Sequence, residues 1–425
     1  MNRTQAPLIK DATEFDLKLK PYEKFILNNG VEVITVEAGE QEVMLVEWVF
    51  DAGNCYESQN LVAAATNFLL KNGTTHKTAF EINEHFEYYG AFLNRNCYNE
   101  TATITLHTPS KQINHLLPVV REILTDATLP ENELSIFCTN AKQKMQVNLK
   151  KCDYVASRLI DAYVYGPHHP YGKYSDPESY DQLQTAALLH FYRQYYAEGN
   201  CIIFAAGKLP ANFIVQLNQL FGDLPLKPRK QTVPAAAFDP ATEKKYRISN
   251  DPSGVQGAIR MARLFPGRKD PDFPKVQVLN SLFGGFFGSR LMSNIREEKG
   301  YTYGIYSYLQ NHIQSSAWMI STEAGREVCE ATIKEVYHEM EILRNEEVDA
   351  EELQLVKNYM MGSLLGDLDG PFHIIARWKN IMLHGLDENH FYHSVNAIKS
   401  TSPDELKALA NKYLLPEAFY ELVVV

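Results

Sequence analysis

The chain repeats itself, and the repeat restricts its fold more than any other feature of the 425-residue sequence. Gly90-Ala-Phe-Leu-Asn94, an alternating run and an amphipathic stretch over 111–126 are echoed by Gly300-Tyr-Thr-Tyr-Gly304, an alternating run and a stretch over 325–344. Leu129-Pro-Glu-Asn-Glu-Leu134 is echoed by Val348-Asp-Ala-Glu-Glu-Leu353, each opening a long helical pattern, and Tyr195–Ala206 by Tyr413–Val425. The offset stays at about 210–220 residues, the signature of a duplicated unit. The whole is too long for one ordinary core, so two homologous domains are expected.

Within the first copy, strand-like runs flank Asn29-Gly30, a strong hairpin signal, and a further strand covers 43–51. Helices are expected over 61–71, closed by Asn72-Gly73, and 81–89, stopped at Gly90. A strand over 99–107, helices over 111–126 and 130–165, a helix over 181–197 and a strand over 200–206 complete the unit. Helices grouped in runs between strands predict an α+β fold, each domain a mostly antiparallel sheet with helices packed on one face. Residues 1–20 read as a polar lead-in arm. Pro228, Pro234 and Pro240 mark a linker over 226–240, between domains 1–225 and 241–425.

Charge narrows the partners. A net charge of −11 argues against nucleic acid and anionic membranes, which need a basic face. No apolar run approaches the ~20 residues of a membrane span. Six cysteines (55, 97, 138, 152, 201 and 329) without a C-x-x-C read as reduced thiols, so a cytoplasmic location is expected, or a periplasmic one had a signal peptide been removed. There is no G-x-S-x-G. His85 with Glu81 and Glu84 reads as a solvated helix face. His384, His390 and His393 near Glu388 are too loosely spaced to make a convincing metal set. Gly284–Ser289 lacks the Lys-Ser/Thr of a phosphate-binding loop.

The chemistry concentrates after Gly284-Gly285. A Gly-rich turn opens a short helix that ends at Gly300, with Lys299 in its last turn, and an alternating strand follows over 301–308. Arg296 falls on the helix and Tyr303 on the strand. A guanidinium fork and a phenol, neither ionising near neutral pH, are suited to gripping a carbonyl oxygen. On spacing alone, a surface Arg and a strand Tyr are the simpler account.

The run S-R-L-M-S-N-I-R-E-E-K-G-Y-T-Y-G over 289–304 resembles the C-terminal half of the insulinase/pitrilysin family of zinc peptidases, in its mitochondrial-processing-peptidase-like branch. The resemblance implies two homologous halves facing each other as a clam shell. It also implies an Arg and a Tyr, here Arg296 and Tyr303, that hold the substrate backbone against a zinc site on the opposing domain. Asn94 matches an Asn of the family's substrate-facing edge strand, although Arg95 stands where a small residue is usual. Gly166-Pro-His-His-Pro-Tyr-Gly172 matches the family's G-x-x-H-P-Y-G loop.

An active member carries H-x-x-E-H just before a Lys-Gly-Thr run, because i and i+4 on a helix face one way and two imidazoles can share a metal there. Counting back from Gly73-Thr74, Ala64 takes the first His, Asn67 the Glu and Phe68 the second His. The third ligand falls near 143–147, Gln-Lys-Met-Gln-Val, which holds no acid. The expectation is a chain with no metal of its own. It would bind peptide and supply Arg296 and Tyr303 to a zinc-bearing homologous subunit in a heterodimer, or by self-association. The alternative is a structural or peptide-holding homologue, as in the core subunits of respiratory complexes.

Overall fold

The computed structural model describes residues 11–230 and 232–425; the first ten residues of the expected lead-in arm lie outside them. The first half builds strands β1 (Glu23–Ile26), β2 (Glu32–Glu37), β3 (Val43–Phe50), β4 (Phe92–Cys97), β5 (Ala102–Pro109), β6 (Asn200–Gly207) and β7 (Lys227–Pro228). They form one sheet in the order β1-β2-β6-β3-β5-β4, with β7 added to β6. The pairing is antiparallel except at β2–β6 and β6–β7. The second half builds β8 (Lys245–Ile248), β9 (Gln256–Phe265), β10 (Thr302–Asn311), β11 (Ser316–Gly325) and β12 (Tyr420–Val424), in the order β10-β11-β9-β12-β8. There only β8–β12 runs parallel. The α+β, mostly antiparallel class expected from the sequence is the class observed.

Each half's own helices pack on one face of its sheet, as expected; what the sequence did not show is that the other face is covered from the other half. In the first sheet Met44, Val46, Trp48 and Phe50 face the half's own helices, while Leu45 and Val49 join a different core containing Trp318, Ile375 and Trp378. That second face is covered by helix Pro371–Leu383 from the other half: Lys379 Nζ donates to Glu47 Oε2 at 2.7 Å, and Phe372 meets His107 edge-on at 6.1 Å. The second sheet is treated reciprocally. Ala258, Ala262, Ala317, Met319, Leu422 and Val424 pack against Ala156, Ile160 and Val164 of helix Cys152–Tyr165 from the first half. Arg260, buried on that face, donates to Asp153 and to Ser157 Oγ. A period-2 strand with apolar residues on both faces has to be covered twice, and each half covers the other.

This exchange explains a second difference. The helix expected over 130–165 is two helices, Glu131–Asn148 and Cys152–Tyr165, separated at Lys151, whose backbone is extended. The break lets the second segment leave its own half. The helix expected over 181–197 is likewise divided, into Pro177–Asp181, Thr185–Tyr192 and a wider π-type turn, Arg193–Ala197. The strand expected over 99–107 starts at Ala102, because 98–101 turns back from β4. Residues 11–20 form a strap more than a polar arm: Leu17 and Leu19 are buried, and Trp378 Nε1 donates to the Lys20 carbonyl at 2.8 Å. The Pro-rich segment is tied along its length. Arg229 Nε lies 2.8 Å from Asp51 Oδ1, both buried, and the Asp239 and Ala241 amides donate to the Tyr165 and Tyr163 carbonyls.

The Lys379–Glu47 pair gives a direct test of the exchange. Lys379→Met leaves Glu47 largely buried with only Thr105 Oγ1 at 3.1 Å, a loss expected to cost about 1–3 kcal/mol. Urea unfolding checks it, and adding Glu47→Gln to the same chain is expected to recover most of the loss.

Candidate functional site

The turn carrying Arg296 is held rigidly against β10. Asn280 Nδ2 donates to the Ser307 carbonyl at 3.1 Å, Ser307 Oγ donates to Asn280 Oδ1 at 2.7 Å, and Trp318 Nε1 donates to Ser307 Oγ at 2.7 Å. A Cβ at Gly284 would lie 2.7 Å from that of Ser307, so only glycine allows the approach. This close packing, with no cradle of amides, is what the Gly-Gly serves. Arg290 is a structural residue: its Nε and Nη2 each lie 2.8 Å from a Glu352 carboxylate oxygen. The expected short helix is a π-type turn, Met292–Glu298, which the Tyr301 amide closes onto the Ile295 carbonyl. Gly300 follows with φ +67, as Gly90 does with φ +65 before β4. A left-handed residue ends the preceding turn and launches the edge strand in both copies.

Arg296, half-buried, lays its guanidinium over the Phe287 ring at 4.5 Å. Tyr303 is 90% exposed. The β10–β11 register slips by one residue between Thr302 and Ile305, a bulge of the kind that re-aims a side chain. Thr302 Oγ1 and Thr322 Oγ1 satisfy the backbone there by bonding to each other and to the Gly304 carbonyl. Among the described residues, neither the Arg296 guanidinium nor the Tyr303 hydroxyl has a hydrogen-bond partner.

β10 is an edge strand, and so is β4, its counterpart in the first sheet. Asn94 lies on β4, exposed, on the face away from Leu93 and Arg95. The two edge hairpins meet at their tips. Asn99 Nδ2 lies 3.3 Å from His312 Nδ1, and Glu100 Oε1 accepts from the Ile313 amide at 2.9 Å and from Tyr171 Oη at 2.5 Å. Tyr171 stacks on His312 at 4.0 Å, and His169 stacks on Phe238 of the Pro-rich segment at 4.4 Å. The Gly166–Gly172 loop is therefore the mortise between the hairpin tips. Glu100 and His312, which the sequence offered no pattern to single out, complete it. Burial raises the Glu100 carboxyl and pulls the His312 imidazole down to about 4.

The helix at the degenerate zinc position is Val62–Leu69. Asn67 is buried and donates through Nδ2 to Tyr196 Oη at 3.1 Å. Phe68 meets Phe137 at 4.9 Å. Arg95 crosses from β4, places its guanidinium 5.3 Å from the Phe68 ring centroid and donates to the Phe68 carbonyl and to Asn72 Oδ1. Burial lowers its pKa to about 10, which still leaves it charged. Zinc binding needs His, Cys or carboxylate donors. Here a methyl, a carboxamide and a phenyl stand with a fixed cation beside them, so the residues present do not fit the metal. In 143–147 Met145 is buried and no acid occurs. Among the described residues no three His, Cys, Asp or Glu gather closely enough to hold a metal, the 384–393 histidines included. His85 Nε2 lies 2.9 Å from the His115 carbonyl.

Ala64 opens instead on a cavity of about 380 Å³ lined by Glu57, Arg158, Asp161 and Lys173. Lys173 Nζ pairs with Glu57 Oε1 at 2.6 Å. Asp161 Oδ1 is buried without a partner, and burial raises its carboxyl to about 7. An unfolded chain gives up this proton from about pH 4 upward while the folded chain keeps it. Stability therefore falls as pH rises through that window and levels off above 7. Asp161→Asn is expected to remove that slope, gaining roughly 1–3 kcal/mol at pH 8 relative to wild type but little at pH 4; urea titrations at the two pH values measure it. Elemental analysis of the tag-free chain is expected to find no stoichiometric zinc. Ala64→His/Asn67→Glu/Phe68→His, with Arg95 still in place, is expected not to gain chelator-sensitive cleavage, and cleavage by that variant would mean another group supplies the third bond.

Residues 182–360 match the family model described as Peptidase M16 inactive domain. The chain is 23% identical over 403 residues to an uncharacterized zinc protease, YmxG, of Bacillus subtilis, covering 92% of this chain and 95% of the relative. It is 23% identical over 348 residues to an uncharacterized zinc protease of Rickettsia felis, covering 80% and 82%. Among solved structures it resembles a peptidase M16 inactive domain from Pseudomonas fluorescens, with 26% identity, a TM-score of 0.84 and coverage of 95% and 98%. A protease from Helicobacter pylori shares the fold at 17% identity, with a TM-score of 0.85 and coverage of 96% and 100%. With the repeated α+β fold and a helix stripped of metal donors, these likenesses identify residues 182–360 as an M16 inactive domain within a chain that resembles insulinase-type, M16 peptidases along most of its length and carries no His, Asp or Glu at the degenerate zinc position.

Proposed function

We propose that this chain is the zinc-less subunit of an M16-type metalloendopeptidase. It binds an extended peptide and supplies Arg296 and Tyr303 to the metal site of a zinc-bearing homologous partner. Residues 1–225 and 241–425, joined through 226–240, act as the two walls of a half shell. The observation that carries this reading is the contrast between the two halves. The metal position carries Phe68, packed on Phe137 and faced by Arg95, whereas Arg296 and the bulge-borne Tyr303 hold donors with no partner among the described residues. A chain kept only for scaffolding has no use for two such donors, one on a sheet edge and one on the turn that leads into it.

The edge strands support the same reading. An unpaired edge is a template for an incoming strand, which takes main-chain hydrogen bonds from it. β4 and β10 are both short of a neighbour on one side, and Phe92, Tyr98, Tyr306 and Tyr308 are exposed along or beside them. Asn94, on β4, is proposed to touch the peptide from the first half. In the partner's site, zinc would activate the water and polarise the scissile carbonyl. This chain's part is to hold the substrate backbone with the Arg296 fork and to donate from Tyr303 Oη to the carbonyl oxygen as charge develops on it.

Co-expression with each zinc-bearing homologue of the same cell, followed by peptide cleavage by the purified complex, tests the assignment. Tyr303→Phe is expected to lower the partner's turnover about a hundred- to a thousand-fold if its hydroxyl meets the developing oxyanion. The loss should fall on kcat in that case, and on KM if the phenol only anchors the ground state. Arg296→Ala is expected to reduce kcat/KM as well, with assembly on a sizing column and zinc content unchanged in both variants. Unchanged turnover in both would leave the structural, peptide-holding role as the better account.

A further inference from the structure

A cavity of about 540 Å³ in the second half takes no part in the site above. It lies among helices Phe273–Asn280, Ala350–Gly366, Pro371–Leu383 and Glu388–Ser400, and its charged wall is Arg268, Arg377, His390 and Asp367. Arg377 is committed: it donates through Nη2 to Asp367 and lies 5.6 Å from the Phe391 ring centroid. Arg268 is not. It makes no hydrogen bond or ion pair among the described residues, its Nε is buried without a partner, and its guanidinium merely lies 5.8 Å from the Phe273 ring centroid.

Arg268 is half-buried, a guanidinium stays charged at any ordinary pH, and charge withdrawn from water is best tolerated when it is paired. Two guanidiniums near one another share a single carboxylate, which Arg377 already holds. The neighbouring rings of His384 and His390 bring nitrogen donors and acceptors but no negative charge, and His384 Nε2 is itself buried without a partner. Gln277 and Asn380 add amides to the wall. The volume is that of a small-molecule site.

We propose that this cavity binds an oxyanion, a phosphate or carboxylate group carried by a small organic molecule, on the guanidinium of Arg268. The ligand would also touch the seam between the halves. His373, Arg377 and Asn380 turn one face of helix Pro371–Leu383 to the cavity, while Phe372 and Lys379 of the same helix hold the first sheet.

Thermal unfolding of the full chain in chloride, against inorganic phosphate or acetate at matched ionic strength, tests this. The expected result is a saturable rise of about 2–4 °C, and the anion that saturates at the lower concentration tells phosphate from carboxylate. Arg268→Gln is expected to abolish the saturable rise while leaving the anion-free protein unfolding at the same temperature or higher, since a half-buried, unpaired charge has been removed. A guanidinium that only props the fold would give the opposite, a lower unfolding temperature. An equal, non-saturating rise in wild type and variant is general salt stabilisation and would overturn the proposal. Should the variant fail to fold, calorimetric titration of the wild type decides: a one-site isotherm for either anion supports the site, and none up to about 10 mM rejects it.

Discussion

Each sheet of this protein has two apolar faces, and each half brings enough helices to cover one of them. The remaining faces are closed by exchange: helix Cys152–Tyr165 crosses to the second sheet and helix Pro371–Leu383 to the first. Burial of apolar surface is the main favourable term in folding, so neither half is complete without the other. The polar links of the seam follow the same rule. Glu47 and Arg260, each buried in the middle of a sheet, are paired from the visiting helix by Lys379 and Asp153. Breaking one side of such a link strands a charge in the interior, which is what fixes the position of the helix.

Because the helices are exchanged across the faces, both sheets end in an uncovered edge strand at the same place in the repeat, β4 and β10. The hairpins that carry them are locked at their tips through Glu100, Tyr171 and His312, and from there their outer edges stand unpaired. Natural sheets usually blunt exposed edges. Here the edges carry exposed aromatics and, on the second sheet, a bulge that presents Tyr303. The two halves of the duplication have diverged beside these edges. The second keeps unpaired donors, while the first spends its edge arginine, Arg95, on sealing its own helix.

At the degenerate zinc position Phe68, Phe137 and Arg95 form a tilted aromatic pair and a cation against a ring, interactions that contribute packing without needing a metal. The charged residues that remain nearby are either paired, as Glu57 is with Lys173, or neutralised by burial, as Asp161 is up to about pH 7.

Several features were legible in the sequence alone because they are local. The duplication showed as a constant offset, the hairpin at Asn29-Gly30 as turn chemistry, and the missing metal ligands as the absence of His, Asp or Glu from the helix before Gly73-Thr74. The Gly300 turn and the strand after it placed Arg296 and Tyr303 on their elements, since a glycine stop and a period-2 alternation need no tertiary partner. What lay beyond the sequence depends on contacts between residues far apart in the chain. The break at Lys151 looks like uninterrupted helix until the second sheet requires a cover. Leu17 and Leu19 look like part of a polar arm until Trp378 fixes the neighbouring backbone. The bulge at Tyr303 exists only in register with β11, and the seal at Phe68 only because β4 brings Arg95 across to it. The sequence determined which groups the protein carries and on which elements. Tertiary packing decided which of them are paired, because pairing depends on faces and registers set by the other half.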